Sequence, residues 1–105
     1  MKAARETLDG KKAGEIVVLD VRKLSTITDY YVIATGNNTR HLKALADEVG
    51  KAMKQLGSPA YRQSGSPDSG WIVADFLDFV VHLFDPEARE HYALEALWKD
   101  APVIE

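Results

Sequence analysis

Apolar and polar residues recur with two different periods along the chain, and these periods predict its helices and strands. The clearest helical pattern covers residues 39–56, where large apolar side chains return about every 3.6 positions. A shorter helix is predicted over residues 2–13, ended by Gly14. A third is predicted over residues 86–98, with Asp85 as its N-cap. Its apolar set is Ala88, Tyr92, Leu94, Leu97 and Trp98.

The remaining apolar runs have the length and β-branched content of strands. They lie at residues 15–21, 30–35, 71–76 and 79–84, with a short fifth run at 60–63. The segment 64–70 is rich in Ser and Gly and is expected to be a loop. The order α β β α β β β α predicts an α/β fold: a mixed sheet of about five strands with packed helices, formed by one domain over residues 1–105.

The predicted strand at residues 71–76 presents two unlike faces. One carries Trp71, Val73 and Asp75, and the other carries Ile72, Ala74 and Phe76. The first face ends in a carboxylate, so we do not expect it to be wholly buried, and Leu77 at the hairpin tip has no core to enter. Aromatic groups beside polar ones are typical of protein interfaces. A small cluster covered by the last helix explains the same residues equally well.

The charge balance argues against one class of partner. The chain has 105 residues and a net charge of −3, whereas proteins that wrap nucleic acid need clustered Lys and Arg. A basic protein remains a suitable partner. Without cysteines there is no thiolate metal site and no disulfide framework. Because no apolar run reaches the roughly 20 residues of a membrane span, and no signal peptide is visible, we expect a cytoplasmic protein.

Candidate catalytic and metal-binding groups have simpler explanations. His41, His82 and His91 form no paired spacing, so surface positions for the first and third and a hydrogen-bonded, half-buried position for His82 are expected. Asp75 and Asp78 could bind Mg²⁺, with Asp20 and Asp29 nearby, but Asp is also favoured in turns.

The turn formed by residues 36–39, Gly-Asn-Asn-Thr, stands between a strand and a helix, where phosphates bind well. It lacks both common phosphate-loop patterns, and helix capping explains its residues. No Ser/His/Asp order supports nucleophilic catalysis.

Two long runs resemble one known family. They are DVRKLSTITDYYVIATGNNTRHLKALADEV at residues 20–49 and GWIVADFLDFVVHLFDPEAREHYALEALW at residues 70–98, followed by KDAP at 99–102. These runs resemble the bacterial ribosomal silencing factor family, also called RsfS or Iojap, over about nine-tenths of the chain. The family pattern has Gly where this chain has Leu77, and Leu cannot cheaply adopt the positive φ that Gly supplies in a tight turn.

The resemblance implies a nucleotidyltransferase-like fold without catalytic residues, metal or cofactor. It implies binding to ribosomal protein L-fourteen on the large ribosomal subunit, which blocks joining of the small subunit and represses translation. It also implies a homodimer in the free state, with no membrane contact and no sequence-specific nucleic-acid binding. The binding surface it implies is matched here by Trp71, Asp75 and Phe76, and we add their neighbours Val73 and Leu77.

Two other functions remain as alternatives. One is a nucleotidyltransferase-type enzyme that uses Asp75, Asp78 and the Gly36 turn. It would bind Mg²⁺ and a nucleotide, although this chain lacks the D-x-D carboxylate pair usual in such enzymes. The other is a plain dimerisation module, which would self-associate without binding ribosomes.

Overall fold

Three helices and five strands alternate in the predicted order in the computed structural model, which describes residues 1–26, 28–93, 99 and 101–104. Helix α1 covers Lys2–Gly10, α2 covers Thr39–Gln55 and α3 covers Pro86–Tyr92. The predicted N-cap Asp85 is confirmed, because it accepts a hydrogen bond from the backbone N–H of Ala88. In the turn at residues 36–39, Asn38 caps α2 by accepting a hydrogen bond from the backbone N–H of His41. In the described part of the chain, no helix is long and apolar enough to cross a membrane.

The strands form one mixed sheet in the spatial order β1-β2-β5-β4-β3. They cover Gly14–Asp20, Tyr30–Thr35, Arg62–Ser66, Trp71–Asp75 and Phe79–Phe84 for β1 to β5. Only β2 and β5 run parallel; the other pairs are antiparallel. The chain therefore leaves the centre of the sheet at the end of β2, passes through α2, β3 and β4, and returns to the centre at β5. The predicted α/β class and mixed five-stranded sheet are confirmed.

Helices α1 and α2 cover one face of the sheet and enclose the main core. Their buried side chains include Ala4, Leu8, Leu42, Leu45 and Val49. The sheet contributes Val18, Val32, Ala34, Ile72, Ala74, Phe76, Phe79, Val81 and Leu83. These positions alternate along each strand, as expected where one strand face is buried. The helix stripe predicted over residues 39–56 is therefore the inner face of α2.

Helix α1 ends four residues before the predicted stop at Gly14. The N–H of Ala13 donates to the carbonyl of Leu8 and that of Lys12 donates to Asp9, which is the hydrogen-bond pattern of a Schellman cap. Lys12 takes the left-handed conformation, with φ 63°, that Gly usually supplies. The prediction was wrong at this end because the capping residue is not a glycine.

Strand β3 differs most from its prediction. The short strand expected at residues 60–63 and the loop expected at 64–70 are replaced by a strand over Arg62–Ser66. All five of its residues are exposed on both faces, so it has no apolar alternation for a sequence pattern to reveal. Gly65 has φ 83°, and a Cβ there would collide with the carbonyl oxygen of Trp71. A glycine is therefore required where β3 lies against β4.

Helix α3 packs on the opposite face of the sheet through a buried arginine. The guanidinium of Arg89 donates to the hydroxyl of Thr35 at 2.9 Å and to the backbone carbonyl of Glu15. Glu15 has φ 46° at an irregularity in the β1–β2 pairing. The predicted apolar residues Leu94, Leu97 and Trp98 lie outside the described residues. Further on, Val103 pairs with Leu19 at the outer edge of β1.

Candidate functional site

The sheet face opposite α1 and α2 carries a cluster of aromatic side chains. We call this surface the aromatic face and define it by Tyr31, Trp71, Val73, Asp75, His82, Phe84 and Tyr92. They come from β2, β4, β5 and α3. The register explains their meeting, because Trp71 lies opposite Phe84 and Val73 lies opposite His82. Trp71, Val73, Asp75 and Tyr31 are half-buried, and Tyr92 is exposed.

Trp71 lies at the centre of this face and contacts three aromatic rings. Its ring centroid is 4.5 Å from that of Tyr92 and 5.1 Å from that of Phe84. Its indole N–H donates to Nδ1 of His82 at 3.2 Å. Trp71 is thus held in one orientation by stacking and by a hydrogen bond, while part of its surface stays open to solvent. The last helix covers Trp71 in part, as the interpretation of a small covered cluster expected. The interpretation as a protein interface stays a prediction.

His82 is buried under the aromatic face and is neutral at physiological pH. Burial lowers its pKa to about 4. Because Nδ1 accepts a hydrogen bond from the indole N–H of Trp71, the neutral imidazole carries its proton on Nε2. That atom is buried and has no hydrogen-bond partner among the described residues. The sequence predicted a hydrogen-bonded His82, which is confirmed, but half-burial was wrong: only 8% of the residue is exposed.

The tip of the β4–β5 hairpin is a tight turn centred on Leu77. Leu77 has φ 72°, and the N–H of Asp78 donates to the carbonyl of Phe76 across it at 2.9 Å. This two-residue reach defines a γ-turn of the rare positive-φ type. A carboxylate oxygen of Asp75 accepts the N–H of Leu77 at 2.8 Å, so Asp75 has the turn-stabilising role expected from sequence. The Leu77 side chain is 56% exposed.

The five predicted site residues do not share one surface. Trp71, Val73 and Asp75 lie on the aromatic face, as the strand period predicted. Leu77 lies beyond the end of β4, about 20 Å along the chain from Trp71. Phe76 faces the main core, where it is 9% exposed and stacks on Phe79 with ring centroids 4.9 Å apart. Its side chain is therefore covered by the helices and cannot be touched from the aromatic face.

The groups required by the enzyme alternative lie apart. Thr35, just before the Gly36 turn, pairs with Phe84, whereas Tyr30 pairs with Phe79 beside Asp78. The turn and the carboxylate are thus at opposite ends of the same strands, about 16 Å apart. Asp20, the further carboxylate considered for Mg²⁺, is bound by an arginine instead. Arg22 donates to both of its oxygens, at 2.9 and 2.7 Å, and holds the pKa of that carboxyl below its usual value.

The histidines are also separated. His41 bridges two elements, with Nδ1 accepting the N–H of Asn37 and Nε2 lying 2.9 Å from the carbonyl of Lys11. A surface position was expected for both His41 and His91. His91 is exposed, whereas His41 is half-buried. Across the part of the chain that the structure describes, no three His, Asp or Glu side chains are grouped so that they could hold a metal ion.

Charge is divided unevenly between the two helices α1 and α2 and the rest of the chain. Residues 1–13 and 38–56, which contain α1 and α2, carry eight basic and four acidic side chains. The rest of the chain carries five basic and twelve acidic ones. The acidic part includes Asp68, Asp85 and Glu87 around the start of α3, beside Tyr92. The aromatic face is therefore bordered by carboxylates, whereas the covering helices are basic.

Known proteins with similar sequences and structures identify the family. A family model described as "Ribosomal silencing factor during starvation" matches residues 1–105. The ribosomal silencing factor RsfS of Halalkalibacterium halodurans is 35% identical over all of this chain and 90% of its own. That of Haemophilus influenzae is 42% identical over 89% of this chain and 91% of its own.

The fold is similar to one solved by crystallography. A protein from Chromobacterium violaceum superposes with a TM-score of 0.90 and 36% identity, over 93% of this chain and 82% of the other. With full-length sequence similarity and the same fold, this chain belongs to the ribosomal silencing factor RsfS family.

Proposed function

We propose that this protein is a non-enzymatic repressor of translation that docks on the large ribosomal subunit through its aromatic face. The observation that carries the proposal is the half-exposed Trp71, held by Tyr92, Phe84 and His82 in a chain of the RsfS family. Tryptophan and tyrosine supply much of the binding energy in protein interfaces, because they bury large areas with few rotatable bonds.

The partner is ribosomal protein L-fourteen. Ribosomal proteins are generally basic, and the carboxylates around Tyr92 provide a complementary charge. The contact surface consists of Trp71, Val73 and Asp75, extended along the strand to Leu77. Phe76 supports this surface from behind, because it anchors the same strand in the main core.

The mechanism is steric. A chain of 105 residues seated where the two subunits meet prevents their joining without any chemical step or cofactor. Residues 1–105 act as one domain, in the cytoplasm, and the free protein is a homodimer. Sedimentation of the purified protein tests the dimer directly, since a monomer at all concentrations would remove that part of the proposal.

Binding to purified large subunits tests the docking surface. In a co-sedimentation titration, Trp71→Ala loses an aromatic anchor and should weaken binding by about 2 kcal/mol or more, roughly thirtyfold. Tyr61→Ala removes an exposed aromatic residue from outside this surface and should bind as the wild type does. A subunit-joining assay should show the same order of variants, because only bound protein blocks joining.

A second pair of variants tests the charge preference of the surface, with far-UV circular dichroism to verify that each variant is folded. Val73→Lys places a positive charge on the half-buried centre of the aromatic face, whereas Gln63→Lys places it on the exposed strand β3. The first should repel a basic partner and the second should not. The docking proposal would be wrong if folded Trp71→Ala and Val73→Lys proteins bound large subunits as tightly as the wild type does.

A further inference from the structure

Helix α2 carries a line of basic residues on its outer side. Arg40, Lys43, Lys51 and Lys54 are all exposed, and at 100° per residue they lie within about 80° of one another around the helix. We call these four residues the basic stripe. The line extends over about 21 Å, because fourteen residues of α-helix rise 1.5 Å each. Its length and its position within one narrow arc of the helix set it apart from scattered surface charge.

Few of these charges are neutralised within the protein. Asp47 lies inside the same arc and pairs with Lys43 at 2.9 Å. Arg40, Lys51 and Lys54 pair with no described acidic residue. The stripe thus keeps a local excess of positive charge in a chain whose net charge is −3. An excess that opposes the overall charge indicates a partner rather than a need for solubility.

The chemistry of the stripe selects the class of partner. Protein interfaces have apolar or aromatic anchors at their centre, and α2 contains no Phe, Tyr or Trp. Single-stranded RNA is bound mainly by stacking bases on such rings, so the composition of α2 argues against it. A membrane-surface helix needs an exposed apolar side, but the apolar side of α2 is buried in the core. Phosphate groups along a duplex need only Lys and Arg.

We propose that the basic stripe binds the phosphate backbone of double-stranded RNA without reading its sequence. The stripe and the aromatic face lie on opposite sides of the sheet, since α2 packs behind β4 and β5. One protein molecule can therefore contact a basic protein and an RNA helix simultaneously. The contribution of this contact on the ribosome rests on the proposed function, but duplex binding itself does not.

Binding to a free RNA duplex tests the stripe alone. The probe is a fluorescent duplex of about 20 base pairs with arbitrary sequence, titrated at several salt concentrations. Affinity falls as salt rises, and each phosphate contact adds about one to the magnitude of the slope of log affinity against log salt. Lys51→Gln/Lys54→Gln should lower that slope by about two and weaken binding at low salt at least tenfold. Lys23→Gln/Lys99→Gln removes the same charge elsewhere and should leave the slope unchanged.

Three results would overturn the proposal. The first is that the wild type does not bind the duplex at low salt, and the second is that the stripe and control variants give the same salt slope. The third is that polyglutamate competes as strongly as unlabelled duplex does, which would make the stripe a general polyanion surface. The ribosomal contribution is tested separately with large subunits, where the stripe variant should bind more weakly than its control. If the stripe variant binds subunits normally while Trp71→Ala does not, the ribosomal contribution of the stripe fails and the docking proposal stands.

Discussion

The two faces of β4 have apolar side chains in unlike surroundings. Ile72 and Ala74 are closed beneath α1 and α2, and the buried residues of that core are all apolar. Trp71 and Val73, on the other face, remain half-buried. Two helices seal the first face, whereas the short α3 covers only part of the second. The second face has a smaller buried cluster, which includes Ile33, Phe84 and Ala88, and leaves Trp71 and Val73 partly open to solvent.

The faces also differ in the polar atoms that they contain. The main core is built from apolar side chains, so its stability depends on shape and packing. On the aromatic face, the indole of Trp71 and the ring of His82 bind each other, and Arg89 ties α3 to β1 and β2. This face is therefore sensitive to protonation and to single polar changes. Three predictions test the contrast, starting with the largest effect.

Truncation of neighbouring residues on the two faces should give unequal losses of stability. Ile72→Ala removes a fully enclosed side chain and leaves a cavity, so it should lower the free energy of unfolding by about 2–5 kcal/mol. Val73→Ala removes a half-buried side chain and should cost under about 1 kcal/mol. Urea unfolding of both variants measures the difference. Equal losses would mean that the aromatic face is as closed as the core.

Acid should destabilise the protein through His82. The unfolded histidine takes up a proton near pH 6.5, whereas the folded one does so only near pH 4. Between these values the unfolded chain binds more protons, so stability falls as the pH is lowered, by up to about 3 kcal/mol. Unfolding free energies from pH 7.5 to 4 measure this slope.

Two variants identify His82 as the source of the slope. His82→Gln keeps a polar side chain but cannot titrate, so it should flatten the curve in this range. His91→Gln removes an exposed histidine and should leave the curve unchanged. An unaltered slope in His82→Gln would assign the acid sensitivity to other groups.

The smallest effect should have the opposite sign. Leu77→Gly relieves a positive φ and should raise the free energy of unfolding by about 0.5–1 kcal/mol, after the greater chain entropy of glycine is counted. Leu56 is similarly exposed but has φ −85°, so Leu56→Gly should not stabilise the protein. If Leu77 contacts the partner, the same variant binds large subunits more weakly although it is more stable. Thermal unfolding and co-sedimentation separate these effects.

Sequence periodicity predicted the parts of this fold that have one apolar side. Strands β2 and β5 agree with their predicted residues, and α2 ends within one residue of its predicted end. Strand β3 was partly missed because both of its faces are exposed. The end of α1 was missed because Lys12 occupies a conformation typical of glycine. Local pattern therefore fails where hydrogen bonding, not burial, determines the backbone.

The candidate site was predicted less completely than the fold. Alternation correctly separated Trp71 from Phe76, but no pattern shows that Trp71 meets His82, since that contact depends on the register between β4 and β5. Arg89 was not singled out at all. A long charged side chain on a helix is usually solvated, but this one is buried because the Glu15 carbonyl and the Thr35 hydroxyl accept its hydrogen bonds. The pattern Asp-Pro at the helix start was the available signal that α3 exists.

The positive φ of Gly65 in strand β3 affects how copies of this chain can assemble. The other edge of the sheet is protected where Val103 pairs with β1. No described segment pairs with the outer edge of β3, but Gly65 takes that strand out of the extended conformation at its next-to-last residue. A distorted edge pairs poorly with the strand of another molecule. This distortion therefore limits aggregation by strand addition. Copies of this chain are therefore expected to associate through side chains on a face of the sheet, not by pairing of backbone strands at its edge.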